Sequence, residues 1–153
     1  MKILVCYDGS EPSVRALEKA HQLTSDCGIH EVTLVHSYEE NYWISTSADG
    51  YAPTPESLER LKDLEKRKID EKKEDMSEKA KMFEDTNASV DIRIAQGYPA
   101  KVITKIAEEG GYDMIIIGNR GLGGLRKVVL GSVSNAVIQG TNVSVLVVKE
   151  QSL

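Results

Sequence analysis

Short apolar runs alternate along the chain with amphipathic stretches, and the two have different periods. Ile3-Leu4-Val5-Cys6-Tyr7 is a β-rich run that stops at the turn cluster Asp8-Gly9-Ser10. Beyond it, Val14, Leu17, Ala20, His21 and Leu23 or Thr24 share a face at helical spacing. Ser10 stands where an N-cap is needed, Pro12 suits the first turn, and Gly28 ends the helix. A second strand follows over Val32-Thr33-Leu34-Val35-His36-Ser37. Residues 39–57 then break the rhythm with prolines and the aromatics Tyr42, Trp43 and Tyr51, as a long functional or mobile loop does. From Glu56 to about Asp85 the pattern is one long charged helix. Its sparse apolar stripe is Leu58, Leu61, Leu64, Ile69, Met76, Ala80 and Phe83, and the surrounding charges read as a solvated face.

The third strand, Val90 to Ala95, alternates apolar Val90, Ile92 and Ile94 with polar Asp91 and Arg93, which predicts an edge strand with one wet face. A helix over Ala100 to Glu109 is stopped by Gly110-Gly111. Met114-Ile115-Ile116-Ile117 is apolar throughout, as a central strand covered on both faces requires. After a glycine-rich segment come a helix from Ser132 to Gln139 and a last strand, Val143 to Val148. Strands separated by helices in this order predict an α/β fold with a five-stranded parallel sheet, right-handed crossovers and helices on both faces, a three-layer α/β/α arrangement. Ligands of such sheets sit outside the carboxyl ends of the strands, where strand order reverses. Asp8, Ser37, Gln96 and Gly118 fall at those ends.

Composition narrows the function classes. A chain of 153 residues suits one domain spanning 1–153. The net charge of −5 offers no footprint for nucleic acid or an anionic membrane. Cys6 and Cys27 have no metal-ligand spacing; Cys6, inside an apolar run, reads as a buried small residue, and a reducing cytoplasm is the expected location. The run Ile3 to Cys6 is too short for a signal peptide or a membrane span.

The candidate chemistry lies at Gly118-Asn119-Arg120-Gly121-Leu122-Gly123-Gly124, followed by Leu125 to Leu130 and Gly131-Ser132. Four glycines in seven residues exceed what a turn needs. Glycine permits positive φ and lets backbone N–H groups approach a ligand without an intervening Cβ. Gly131-Ser132 opens a helix whose free N–H groups and dipole favour an anion, and Ser132 could cap that helix or donate to a phosphate. Arg120, Arg126 and Lys127 add positive charge. A flexible surface connection with Ser132 as a plain cap is the alternative. The segment is neither a GxxxxGK[ST] phosphate loop nor a GxGxxG fingerprint after a first strand.

At these residues the chain resembles the universal stress protein family, in its ATP-binding branch. The spacing G-x2-G-x9-G-[ST] of that branch is matched by Gly118, Gly121, Gly131 and Ser132. Asp8 closing the first strand, Val35-His36 closing the second and the Val-rich last strand extend the likeness over the chain, except for residues 39–88. The resemblance implies an adenine-nucleotide alpha-hydrolase-like fold with strand order 3-2-1-4-5. It implies that Asp8 binds ribose hydroxyls or helps hold Mg or Mn on the phosphates. Ser37 and Ile117 would contact adenine through backbone groups, with Cys6 lining that end. Gly118, Arg120 and Gly121 would meet the ribose and α-phosphate, and Gly131, Ser132 and Val133 the outer phosphates. Ser37 replaces the usual Val and Cys6 the Pro of some members, changes that backbone contacts survive. The resemblance also implies a homodimer through antiparallel pairing of the strand Val143 to Val148, an edge that needs covering.

Besides Asp8 no general base, paired carboxylates or nucleophile with its base stands at a strand end. The expected function is therefore regulatory binding of ATP or another adenine nucleotide in a stress response, without efficient turnover. A slow ATP hydrolase or a related adenine-nucleotide enzyme is the alternative. Such enzymes carry SGGxDS or HIGH after the first strand, where this chain has Tyr7-Asp8-Gly9-Ser10. A phospho-acceptor receiver could use Asp8 and Lys149, but the third strand ends Ala95-Gln96-Gly97 without an acceptor Asp. Asp8 could also be a plain turn former, and His36 reads as a residue satisfying a backbone group.

Overall fold

The strands β1 (Lys2–Cys6), β2 (Glu31–Tyr38), β3 (Ser89–Gln96), β4 (Met114–Gly118) and β5 (Ser144–Val148) pair in the order β3-β2-β1-β4-β5, every pair parallel. The computed structural model describes residues 1–39, 54–119 and 130–149. Most of the predicted 39–57 loop, with Tyr42, Trp43 and Tyr51, lies outside the described residues, as do residues 120–129. The helices are α1 (Glu11–Cys27), α2 (Pro55–Ala80), which runs into a 3-10 turn at Lys81–Phe83, α3 (Pro99–Glu109) and α4 (Ser132–Gly140). No helix among the described residues is long and apolar enough to cross a membrane.

Strand alternation divides the interior into two layers. Ile3, Val5 and Tyr7 of the first strand segment, with Val32, Leu34 and Ile116, pack against Ala16, Leu17 and Ala20 of α1 and against Met76 and Phe83. Leu4, Cys6, Val35, Ile115 and Ile117 face the other way, toward Ala100, Ile103 and Ala107 of α3 and Val137 of α4. The three-layer α/β/α sandwich is thus α1 and α2 on one face of the sheet, α3 and α4 on the other. Tyr112 ties the second layer down by donating its hydroxyl hydrogen to Thr33 Oγ1 at 2.8 Å, both residues being buried.

The edge and centre predicted from pattern are observed: β3 is an outer strand with exposed Asp91 and Arg93, and β4 is buried from Ile115 onward. Helix caps also follow the sequence. Ser10 Oγ accepts from Ser13 N at 3.3 Å to open α1, and Gly28 closes it with φ of 65°. The long helix differs from its pattern. Only its second half is anchored, through fully buried Met76 and then Phe83, whereas Leu61 and Leu64 are 46% and 52% exposed. Among the described residues, Met76 and Ala80 of the helix share one core cluster with Val90, Ile92 and Ile94 of β3.

Candidate functional site

Because all strands run the same way, Asp8, Ser37 and Gly118 emerge along one edge of the sheet. The chain builds β1, β2 and β3 outward in one direction and then returns to place β4 on the other side of β1. Strand order therefore reverses between β1 and β4, the place where ligands of such sheets bind beyond the carboxyl ends. The residues closing these two strands are Cys6 followed by Asp8, and Ile117 with Gly118.

Cys6 and Ile117 belong to one buried cluster with Val35, and Val133 of α4 packs on the same cluster. The floor on that side is apolar. Burial, and next the charge of Asp8, push the Cys6 thiol far above its ordinary value, so it stays protonated and unreactive. Ser37 is half-buried in β2 opposite Ala95 of β3.

Asp8 is bent into a local turn, its Oδ1 accepting from Ser10 N at 2.9 Å. Its other carboxylate oxygen takes no hydrogen bond among the described residues. The turn-former reading of Asp8 is thus correct for one oxygen and leaves the second available. His36 does what its place at a strand end predicts: Nδ1 lies 3.0 Å from the Tyr7 carbonyl oxygen, to which it donates. Burial holds its imidazole below the ordinary value, so the neutral ring makes this bond.

The glycine segment is pinned at both ends. Gly131 N donates to Asn119 O at 2.7 Å, Ser134 Oγ to the same oxygen at 3.2 Å, and Asn119 N to Val148 O at 2.9 Å. The start and end of the segment are thereby held together beside β4. Arg120 and Gly121 lie between these ends, outside the described residues, as do Arg126 and Lys127. Gly131 is the N-cap of α4, with φ of −60° and ψ of 155°. Ser132 is therefore not the cap but the exposed first helical residue. A glycine cap brings no side chain to the first-turn N–H groups, and among the described residues none caps α4. Those donors face outward at the positive end of the helix dipole.

Gly118 has a packing role besides the one its pattern suggests. A Cβ there would lie 2.6 Å from Pro12 O and 2.7 Å from Pro12 C, so its missing side chain admits the first turn of α1. Sequence reasoning also missed a polar cluster behind Asp8. Tyr7 donates its hydroxyl hydrogen to Asp75 Oδ2 at 2.9 Å, and Lys72 Nζ donates to Asp8 O at 3.2 Å. Among the described residues no three His, Cys, Asp or Glu side chains gather as a metal site.

Residues 1–149 match the universal stress protein family. The chain belongs to that family. Within the universal stress protein family it is 32% identical over 149 residues to the universal stress protein YxiE of Bacillus subtilis, covering 97% of this chain and 98% of that one. It is 35% identical to the universal stress protein MJ0577 of Methanocaldococcus jannaschii, over 99% of this chain and 96% of that protein. The solved structure of MJ0577 superposes with a TM-score of 0.81, covering 99% of this chain and 97% of that one at 32% identity. The universal stress protein from Archaeoglobus fulgidus, solved in complex with dAMP, shares the fold at a TM-score of 0.63 and 23% identity, over 96% of each chain. The fold is accordingly the adenine-nucleotide alpha-hydrolase-like fold of these stress proteins.

Proposed function

We propose that the chain is a member of the ATP-binding branch of its family and holds ATP, or another adenine nucleotide, in the crevice between β1 and β4 without efficient turnover. The observation that carries this reading is the Asn119–Gly131 bond, which closes a four-glycine segment against an uncapped helix start at the switch point of the sheet. Backbone N–H groups there suit phosphate oxygens. The adenine would lie toward Ser37 and Ile117 over the apolar floor that includes Cys6. Asp8 would take the ribose hydroxyls with its available oxygen. Gly118, Arg120 and Gly121 would follow the ribose and α-phosphate, and Gly131, Ser132 and Val133 the outer phosphates.

A divalent Mg or Mn ion would be held chiefly by the phosphates, with Asp8 as the carboxylate that would help hold it. Binding without turnover is favoured because, among the described residues, no hydrogen bond joins a Ser, Thr or Cys hydroxyl or thiol to a His or carboxylate base at the carboxyl ends of the strands. The dAMP held by the A. fulgidus protein of the same fold agrees in chemical class.

The half-buried apolar β5 at the outer edge of the sheet supports a two-fold homodimer through that strand; one domain per chain over 1–153 and a cytoplasmic setting complete the proposal. Native mass spectrometry of freshly purified protein tests the ligand. An added mass matching an adenine nucleotide is expected, at twice the 16.9 kDa of one chain. A bare species that takes up no ATP would reject the ligand, and a lone monomer would reject the dimer.

A further inference from the structure

The long helix α2 is mostly a solvated, charged rod, yet two of its side chains reach the end of β1. Lys72 and Asp75 are three residues apart, on one side of the helix. Lys72 Nζ donates to the carbonyl oxygen of Asp8 at 3.2 Å, sits 3.8 Å from Asp75 Oδ2 and lies 5.5 Å above the centre of the Tyr7 ring. Asp75 in turn accepts from the Tyr7 hydroxyl at 2.9 Å. The ammonium therefore meets a carbonyl, a carboxylate and an aromatic face, three partners of the right sign for a cation. Its side chain is 24% exposed, against 70% for Glu78 on the same helix.

The backbone it grips is already specialised. Gly9 has φ of 91°, and a Cβ there would stand 3.0 Å from Lys72 Nζ. Glycine thus serves twice, allowing the left-handed turn and leaving room for the ammonium. The turn is fastened at three points. Lys72 holds the Asp8 carbonyl, Ser10 N holds the Asp8 carboxylate, and Ser10 itself caps α1. Of these only Lys72 comes from outside the turn and its helix.

We infer that Lys72 is a positioning residue of the nucleotide site: supported by Asp75, it fixes the Asp8–Gly9 turn and with it the direction of the Asp8 carboxylate. The inference rests on the reading of Asp8 as a nucleotide-facing group. It gives α2 a task beyond covering the sheet, because any movement of its second half is passed to Asp8 through one hydrogen bond. Lys72 does not touch the nucleotide in this account. Its contribution acts through Asp8.

Calorimetric titration of the full chain with ATP and Mg²⁺ tests this with Lys72→Met, Lys72→Arg, Asp8→Ala and the Asp8→Ala/Lys72→Met pair. Lys72→Met should weaken ATP binding about tenfold, the size of one charge-assisted hydrogen bond, while Lys72→Arg keeps a donor and stays within about threefold of wild type. The double variant should bind no more weakly than Asp8→Ala alone, since Lys72 has nothing left to position. Amide exchange of the nucleotide-free protein gives a second reading: Gly9 and Ser10 should exchange faster in Lys72→Met, with the β1–β2 ladder unchanged. Were Lys72→Met to fold poorly, Asp75→Asn, which retains an acceptor for Tyr7, should show a smaller loss in the same direction. Wild type binding ATP with Lys72→Met equal to it, or a fully additive double variant, would overturn the inference alone. Wild type failing to bind ATP would overturn the nucleotide reading, and this inference with it.

Discussion

Gly118 offers the sharpest test of the packing, because its two explanations predict different outcomes for one methyl group. In Gly118→Ala the new Cβ would sit 2.6 Å from Pro12 O, 2.7 Å from Pro12 C and 2.8 Å from Pro12 Cβ. Favourable carbon contacts lie near 3.5–4.0 Å, so each of the three is short by about 1 Å. All three belong to Pro12, two of them to its backbone, and Pro12 is set in the first turn of α1 where no rotamer change can relieve them. The helix as a whole must retreat, and Ala16, Leu17 and Ala20, each fully buried against the sheet, retreat with it. Overpacking that moves a packed element costs about 3 kcal/mol, a large share of the roughly 5–15 kcal/mol that holds a domain of this kind. Urea unfolding in the absence of nucleotide should therefore show a midpoint drop at unchanged slope. Gly140→Ala is the control, since its Cβ would meet only Thr104 Cγ2 at an ordinary 3.5 Å, and it should leave stability level or slightly raised. A Gly118→Ala loss below about 0.5 kcal/mol would refute the packing explanation.

Two further expectations concern the cluster at the end of β1. Burial holds the His36 imidazole below its ordinary 6.5, so the stability tied to the neutral ring is full above that pH and lost as pH falls through the lower folded value. Wild type should therefore lose stability between pH 7 and 5 more steeply than His36→Asn, and parallel curves for the two would contradict the assignment. Burial first, then the hydrogen bond and charge of Asp75, push the Tyr7 phenol up to about 12. Its stabilising contribution is full below its ordinary 10 and disappears as pH rises through the folded value. Tyr7→Phe should remove a phenol that ionises near pH 12 from an absorbance titration and cost about 1 kcal/mol at neutral pH; an unchanged titration curve would count against the Tyr7–Asp75 bond.

What the sequence disclosed, and what it withheld, follows from the range of each physical cause. Strand positions were legible because burial acts residue by residue. One face of Val90 to Ala95 is wet and none of Ile115 to Ile117 is, and the alternation or its absence records that directly. Ser10, Gly28 and His36 were legible because a cap, a left-handed stop and a strand-end imidazole each satisfy a neighbouring backbone group. Lys72 and Asp75 were not, since in composition they are two charges among many on a solvated helix, and only the tertiary path of α2 sets them against Tyr7 and Asp8. Asn119 acts through its carbonyl oxygen and leaves no side-chain signature. The packing of Gly118 was not legible: a glycine records that something comes close, not that the neighbour is Pro12. The cap of α4 fell one residue earlier than Ser132, because glycine and serine both suit that position and the backbone dihedral decides between them.

The central claim is that the glycine segment between Asn119 and Gly131 holds an adenine nucleotide. Titration calorimetry of the full chain with ATP and Mg²⁺, on wild type and Gly121→Val side by side, tests it most directly. The account predicts saturable one-site binding to wild type well below about 1 mM, equivalent to better than about −4 kcal/mol, and its loss in Gly121→Val with circular dichroism unchanged. Absence of binding by wild type up to that concentration, or undiminished affinity in Gly121→Val, would contradict it.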